Sequence, residues 1–229
     1  MMQGRIVNVE RRATTMGPGF RTVFTLSGCT HTCPFCHDPA ARGSSGKILT
    51  PEEAAYLLIP DDPYLRRGGG ITMTGGILED LSYTISLVSL FRERDYHVAL
   101  LTPGFYPEGA EASVIALLKE TDLVIADIPF LTEADCRRYT GGSLTETLAF
   151  LAFADDAECE IWARHVVIPG LSDSPEAAAR LKRFLAPYSG LSKIELFPFR
   201  ASSAAPDSPF AALPDCPEET AERLQATLF

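Results

Sequence analysis

The chain has 229 residues, 46% of them hydrophobic and 22% charged, enough for one sizeable hydrophobic core. Its net charge of −10 argues against a nucleic-acid or anionic-membrane partner held by general electrostatics. No apolar run approaches the length that spans a bilayer. The start, Met1-Met2-Gln3-Gly4-Arg5, leads into polar sequence without secretory character, so a cytoplasmic, reducing setting is expected.

In chain order, Arg5–Glu10 reads as an added edge strand. Thr22–Leu26, Ile71–Thr74, His97–Thr102, Leu123–Asp127, Ile161–Ile168 and Lys193–Phe197 are short, apolar and rich in β-branched residues, as buried parallel strands are. Helical segments alternate with them. Thr50-Pro51-Glu52-Glu53 is a capping box with proline at the first helical position, opening Ala54–Ile59. The others are Glu79–Arg94, Glu111–Lys119, Leu144–Phe153, Pro175–Ala186 and Glu218–Leu228. Six βα-like units in series predict an α/β fold with a parallel sheet curled into part of a barrel, a partial (β/α)6 TIM-like barrel. Residues 1–229 are expected to form a single domain with a core of about 20–200. Ala201–Pro217, rich in Ala, Ser, Pro and Asp, reads as a loose loop before the last helix.

Chemistry concentrates in Gly28-Cys29-Thr30-His31-Thr32-Cys33-Pro34-Phe35-Cys36-His37. The spacing C-x3-C-x2-C, with no fourth cysteine nearby, suits three irons of a [4Fe–4S] cube and leaves the fourth iron open to another ligand. The run follows the first core strand, which places it at the carboxyl-end mouth of the sheet, where such folds gather their chemistry. Zinc held by the three cysteines with His31 or His37 is the competing reading. Disulfides do not suit a chain without a secretory start. Cys136, Cys159 and Cys216 are isolated and read as thiols of no special chemistry.

Other positions carry two readings each. Gly75-Gly76 at a strand end permits close backbone approach to a ligand, or a tight turn. Arg164 in an apolar strand requires an anionic partner, either a ligand or a structural ion pair. Asp127 ends a core strand or caps a helix. His37 is a partner of the cluster or a loop-packing residue. Trp162 reads as core, and Gly17-Pro18-Gly19 as a rigid turn beneath the active face.

With these residues in place, the chain resembles the radical S-adenosylmethionine superfamily, whose signature is C-x3-C-x2-C with an aromatic residue, here Phe35, before the last cysteine. Within it, the glycyl-radical-enzyme activating enzymes are the more specific likeness. Met16-Gly17-Pro18-Gly19-Phe20-Arg21 resembles D-G-P-G-x-R. Cys33-Pro34-Phe35-Cys36-His37-Asp38-Pro39 resembles C-x-Y-C-H-N-P. Gly68–Gly76 resembles G-G-G-V-T-x-S-G-G, Trp162–Gly170 resembles W-I-R-x-V-V-x-P-G, and Lys193-Ile194-Glu195-Leu196 also has its counterpart. The resemblance implies a [4Fe–4S] cluster on Cys29, Cys33 and Cys36. It also implies S-adenosylmethionine chelated to the open iron, near Phe35, Gly75, Gly76, Asp127 and Arg164. Reductive cleavage would give methionine and a 5′-deoxyadenosyl radical that removes hydrogen from a glycine of a partner glycyl radical enzyme. A flavodoxin- or ferredoxin-like reductant and a monomeric state are the further expectations.

The pattern departs from the family at the ligand pocket. Where the family has G-G-E, Gly75-Gly76 is followed by Ile77-Leu78, and Glu79 is the nearest acid. Leu101, Pro129 and Arg200 stand where the family has an aspartate, a lysine and a histidine, and Met16 replaces an acid. Three functions follow as alternatives: a divergent activase, a radical enzyme of this fold with another substrate or cleavage mode, and an iron–sulfur electron carrier or binding protein without turnover.

Overall fold

The computed structural model describes residues 2–228; Met1 and Phe229, the ends of the expected domain, lie outside the described residues. One eight-stranded sheet runs in the order β3-β1-β2-β4-β5-β6-β7-β8. Its strands are β1 (Gly4–Ala13), β2 (Arg21–Leu26), β3 (Lys47–Leu49), β4 (Gly70–Gly75), β5 (Val98–Thr102), β6 (Leu123–Ile128), β7 (Glu160–Val167) and β8 (Leu191–Pro198). From β2 to β8 every pairing between neighbours is parallel. These are the six strands read from the sequence, within a residue or two at most ends. The open, mostly parallel sheet is that of a partial TIM-like barrel.

β1 is the expected additional strand, but it is not the edge. It pairs antiparallel with β2 on one side and with β3 on the other. Three residues of β3 gave too short a signal to read.

The helices are α1 (Pro51–Tyr56), α2 (Asp62–Leu65), α3 (Leu81–Arg92), α4 (Glu111–Leu118), α5 (Glu133–Thr140), α6 (Leu144–Asp156), α7 (Pro175–Leu185) and α8 (Glu218–Gln225). Both bonds of the Thr50 capping box form: Thr50 N donates to Glu53 Oε2 at 2.8 Å and Glu53 N to Thr50 Oγ1 at 3.2 Å. α3 begins at Leu81 with Asp80 as its N-cap, later than expected, which leaves Glu79 in the preceding turn. α5 was unread because Glu-Ala-Asp-Cys-Arg-Arg-Tyr-Thr lacks an apolar stripe. Its caps were nevertheless in the sequence, Thr132 before it and Gly141 after it.

Strand alternation divides the core in two. Val98 and Leu100, Val124 and Ala126, Ile161 and Ala163 face the helices and join the large outer core. Ala99, Leu101, Leu123 and Ile125 face the concave side and pack with Met16 and Val23 into a small inner core. Trp162 only borders that inner core, correcting the reading of it as core: its indole N–H donates to Glu160 Oε1 at 2.8 Å and Lys193 lies over its ring. The inner core fills the amino-end half of the barrel, and the same inward parity places Asp127 and Arg164 one step further toward the carboxyl ends.

Arg21 ties down the amino ends. It is buried, and donates to Thr72 Oγ1 at 3.1 Å and to the Ile71 carbonyl, with His97 Nδ1 at 3.1 Å. Thr72 in turn donates to the Met16 carbonyl. The Gly17-Pro18-Gly19 turn is thus fixed beneath the sheet, on the side away from the cysteines.

Candidate active site

A cavity of about 680 Å³ opens at the carboxyl ends of the strands, in the size range of small-molecule sites. Cys29, Cys33, Cys36 and His37 line it, together with Arg42, Glu79, Leu101, Phe105, Asp127, Pro129, Arg164 and Phe197. The three cysteines reach one cavity because the loop after β2 is anchored from several directions. Gly28 N and Cys29 N both donate to Ala41 O, at 2.9 and 3.1 Å, and Thr32 N donates to Thr140 O at 3.0 Å. Thr30 donates from N and Oγ1 to Glu79 Oε1, at 3.2 and 2.7 Å. His31 meets the edge of Phe105 at 4.7 Å.

All six cysteines are free, and Cys136, Cys159 and Cys216 are buried away from this loop. Burial pushes the Cys33 thiol up to about 12, with its neighbours Cys36 and Cys29 adding to the shift. Cys29 is raised for the same first reason. Three crowded thiols become thiolate ligands only when cations share the site, which is the condition an iron cluster meets. Among the described residues no group of three His, Cys, Asp or Glu side chains converges on a single ion.

Across the cavity, Asp127, Arg164 and Glu195 stand in register on β6, β7 and β8. Arg164 Nε lies 3.3 Å from Asp127 Oδ1, but not aligned as a hydrogen bond, and its guanidinium stacks on Phe197 at 4.8 Å. Its Nε and Nη1 are buried without any acceptor. A charged donor left so is costly unless a ligand supplies the anion, and a free α-carboxylate has the matching fork. Asp127 caps no helix; Thr132 caps α5. Burial raises the Asp127 carboxyl above its ordinary range, against the lowering effect of Arg164.

Gly75 faces the cavity with φ +81°, a conformation that suits glycine. Gly76 lies behind it. A Cβ there would stand 2.4 Å from Ser27 O and 2.8 Å from Cys29 N, so this glycine lets the β4 end press against the cysteine loop. Phe35 lines the cavity and also joins Phe130, Phe199 and Phe210 in an aromatic cluster.

That cluster exposes the main misreading of the sequence. Residues 201–217 are not a loose loop. Phe210 and Cys216 are buried, Ala205 N donates to Pro34 O at 2.7 Å, and Ser202–Pro206 form a wall of the cavity. The low-complexity composition hid this, because the anchor is one aromatic residue and backbone bonds. Arg42 was also missed as a cavity residue, since it belongs to no strand end or motif core, and Glu79, read only as the nearest acid after Gly76, lines the cavity as well.

With this geometry in place, the likeness to known proteins is specific. The sequence profile of the Radical SAM superfamily matches residues 23–181. The pyruvate formate-lyase-activating enzyme of Clostridium pasteurianum is 34% identical over 202 residues, covering 87% of this chain and 83% of that one. The enzyme of the same name from Staphylococcus aureus strain USA300 is 30% identical over 206 residues, covering 87% and 82%. Among solved structures, a domain of a pyruvate-formate lyase-activating enzyme from Bacteroides vulgatus aligns with a TM-score of 0.58 at 16% identity, over 70% of this chain and 93% of that one. A radical SAM methyltransferase from Sphaerobacter thermophilus aligns with a TM-score of 0.62 at 19% identity, over 91% and 63%, a likeness of fold. The cofactors that go with this family, a [4Fe–4S] cluster and S-adenosylmethionine, suit the cysteine set and the Arg164 N–H groups that lack a hydrogen-bond acceptor. The chain belongs to the radical S-adenosylmethionine superfamily and, within it, to the family of the pyruvate formate-lyase-activating enzymes.

Proposed function

We propose that this protein is an activase that removes a hydrogen atom from a glycine of a partner glycyl radical enzyme. The observation that carries the reading is the likeness over 87% of the chain to enzymes named for that activation. Cluster and S-adenosylmethionine together supply a reductive carbon–sulfur cleavage, the hard part of the chemistry.

The protein's share is placement. Cys29, Cys33 and Cys36 hold three irons. Arg164 binds the carboxylate of the cofactor with its free N–H groups, and Asp127 keeps the guanidinium oriented. Gly75 gives the cofactor close approach to the end of β4, while Gly76 holds that end against the cysteine loop. Glu79, held by Thr30, supplies the acceptor for the amino group that the G-G-E glutamate supplies elsewhere in the family. Phe35 fixes the cysteine loop from behind. Leu101, Phe105, Pro129 and Phe197 exclude water from the reacting centre. The whole chain acts as one domain and as a monomer in the cytoplasm, with a flavodoxin- or ferredoxin-like protein as reductant. Among the described residues no helix is long and apolar enough to cross a membrane.

The wall formed by Ser202–Pro206 favours a second reading, the same chemistry on a different substrate, because it narrows the side on which a partner loop would enter. Anaerobic turnover with reductant and S-adenosylmethionine separates the readings. 5′-Deoxyadenosine is expected. Methylthioadenosine would mean another cleavage mode, and a cluster spectrum unchanged by S-adenosylmethionine would leave only an electron carrier.

A further inference from the structure

Arg42 stands in the bend after the cysteine run, and its backbone is locked to the first cysteine. Cys29 and Arg42 form an isolated parallel bridge. The side chain then turns back, and Nη2 donates to the Cys33 carbonyl. One residue therefore touches the segments of two of the three cysteines, from within the same cavity. Its Nε is buried and has no hydrogen-bond acceptor. Among the described residues Arg42 makes no ion pair with a carboxylate, unlike Arg11, Arg66, Arg92, Arg137, Arg164 and Arg200. Cys29, Cys33 and Cys36 line the same cavity around it.

We propose that Arg42 is the cationic partner of the iron–sulfur cluster, donating its free Nε–H to a cluster or thiolate sulfur and making the cluster easier to reduce. A cluster held by three thiolates gains negative charge on reduction, and a fixed cation with a hydrogen bond to sulfur favours the reduced form. This matters because the first electron must reach the cluster before any cleavage. The inference rests on the cluster and not on the identity of the hydrogen donor.

The test is a redox titration of the reconstituted protein by electron paramagnetic resonance, without S-adenosylmethionine or partner, beside iron counting. Arg42→Gln should hold the same iron as the native protein. At a fixed poise its reduced-to-oxidised ratio should fall at least tenfold, which is 59 mV for a one-electron couple. Arg42→Lys, which keeps the charge but not the fork, should stay within threefold of the native ratio. An iron-loaded Arg42→Gln with the native potential overturns the proposal. If Arg42→Gln takes up no iron, Arg42→Lys decides. A loaded lysine variant within threefold of native supports the charge role and a loaded one with a tenfold fall supports the Nε–H bond to sulfur, whereas loss of iron there too shows that Arg42 only folds the loop. None of these outcomes depends on catalysis, so failure here leaves the activase reading untouched.

Discussion

At the scale of single residues, the account separates two sets of cysteines. Replacing Cys29, Cys33 or Cys36 with Ala should abolish the cluster, because each removes the thiolate of one iron. Replacing Cys136, Cys159 or Cys216, all buried elsewhere, should leave the iron content unchanged. Anaerobic iron counting on the six variants decides the point, and stoichiometric zinc in the native protein would refute it. Arg164→Ala should weaken S-adenosylmethionine binding by about 10- to 150-fold, the range set by roughly 1.5–3 kcal/mol for a charge-assisted hydrogen bond. Titration of the reduced cluster with S-adenosylmethionine measures it. His165, on the wall of the same cavity, gives a pH test of stability. It is buried, shares Nδ1 with the Ile128 carbonyl at 2.7 Å, and burial lowers it from 6.5 to about 4. The unfolded chain therefore binds this proton first as pH falls. Stability contributed by the neutral ring is full above pH 6.5, is lost between 6.5 and 4, and changes no further below 4. The loss amounts to about 3 kcal/mol. Urea unfolding of the native protein and His165→Gln at pH 7 and pH 4.5 should show a steeper acid loss in the native chain; equal slopes would contradict it.

At the scale of elements, the strands were legible because each is a short apolar run with β-branched residues, and their number fixed the topology as soon as helices alternated with them. The site was legible where a motif sits at a strand end: Gly75, Asp127 and Arg164 all follow from β4, β6 and β7. What was not legible depends on contacts distant in sequence. Glu79 reaches Thr30 across 49 residues, and Ala205, beyond β8, reaches Pro34 in the loop after β2. Composition says nothing of either. The strap of residues 201–217 is the clearest case, since its single aromatic anchor, Phe210, sits against Phe35, Phe130 and Tyr139. Phe210→Ala should remove about 3–5 kcal/mol from that packing. Hydrogen exchange should then quicken across Ala201–Cys216 while the β2–β6 amides keep their protection. Uniform loosening of the sheet would show that the strap is part of the main core instead.

At the scale of the whole molecule, an inner core at the amino ends and an open cavity at the carboxyl ends give the barrel one closed and one reactive end. At the closed end Arg21, the last residue of the run that resembles D-G-P-G-x-R, bonds to Thr72 and the Ile71 carbonyl. The reactive end has diverged, with Leu101 and Pro129 in place of charged residues and a strap along one side. In the proposed site, charge for the ligands comes from Arg164, Glu79 and Arg42, which line the cavity. The central claim is that this rearranged end still makes a glycyl radical on another protein. Electron paramagnetic resonance of a pyruvate formate-lyase-type partner, after anaerobic incubation with the reduced enzyme and S-adenosylmethionine, tests it directly. The account predicts a glycine-centred radical on the partner, with one 5′-deoxyadenosine formed per radical. 5′-Deoxyadenosine without any partner radical, at saturating partner, would contradict it.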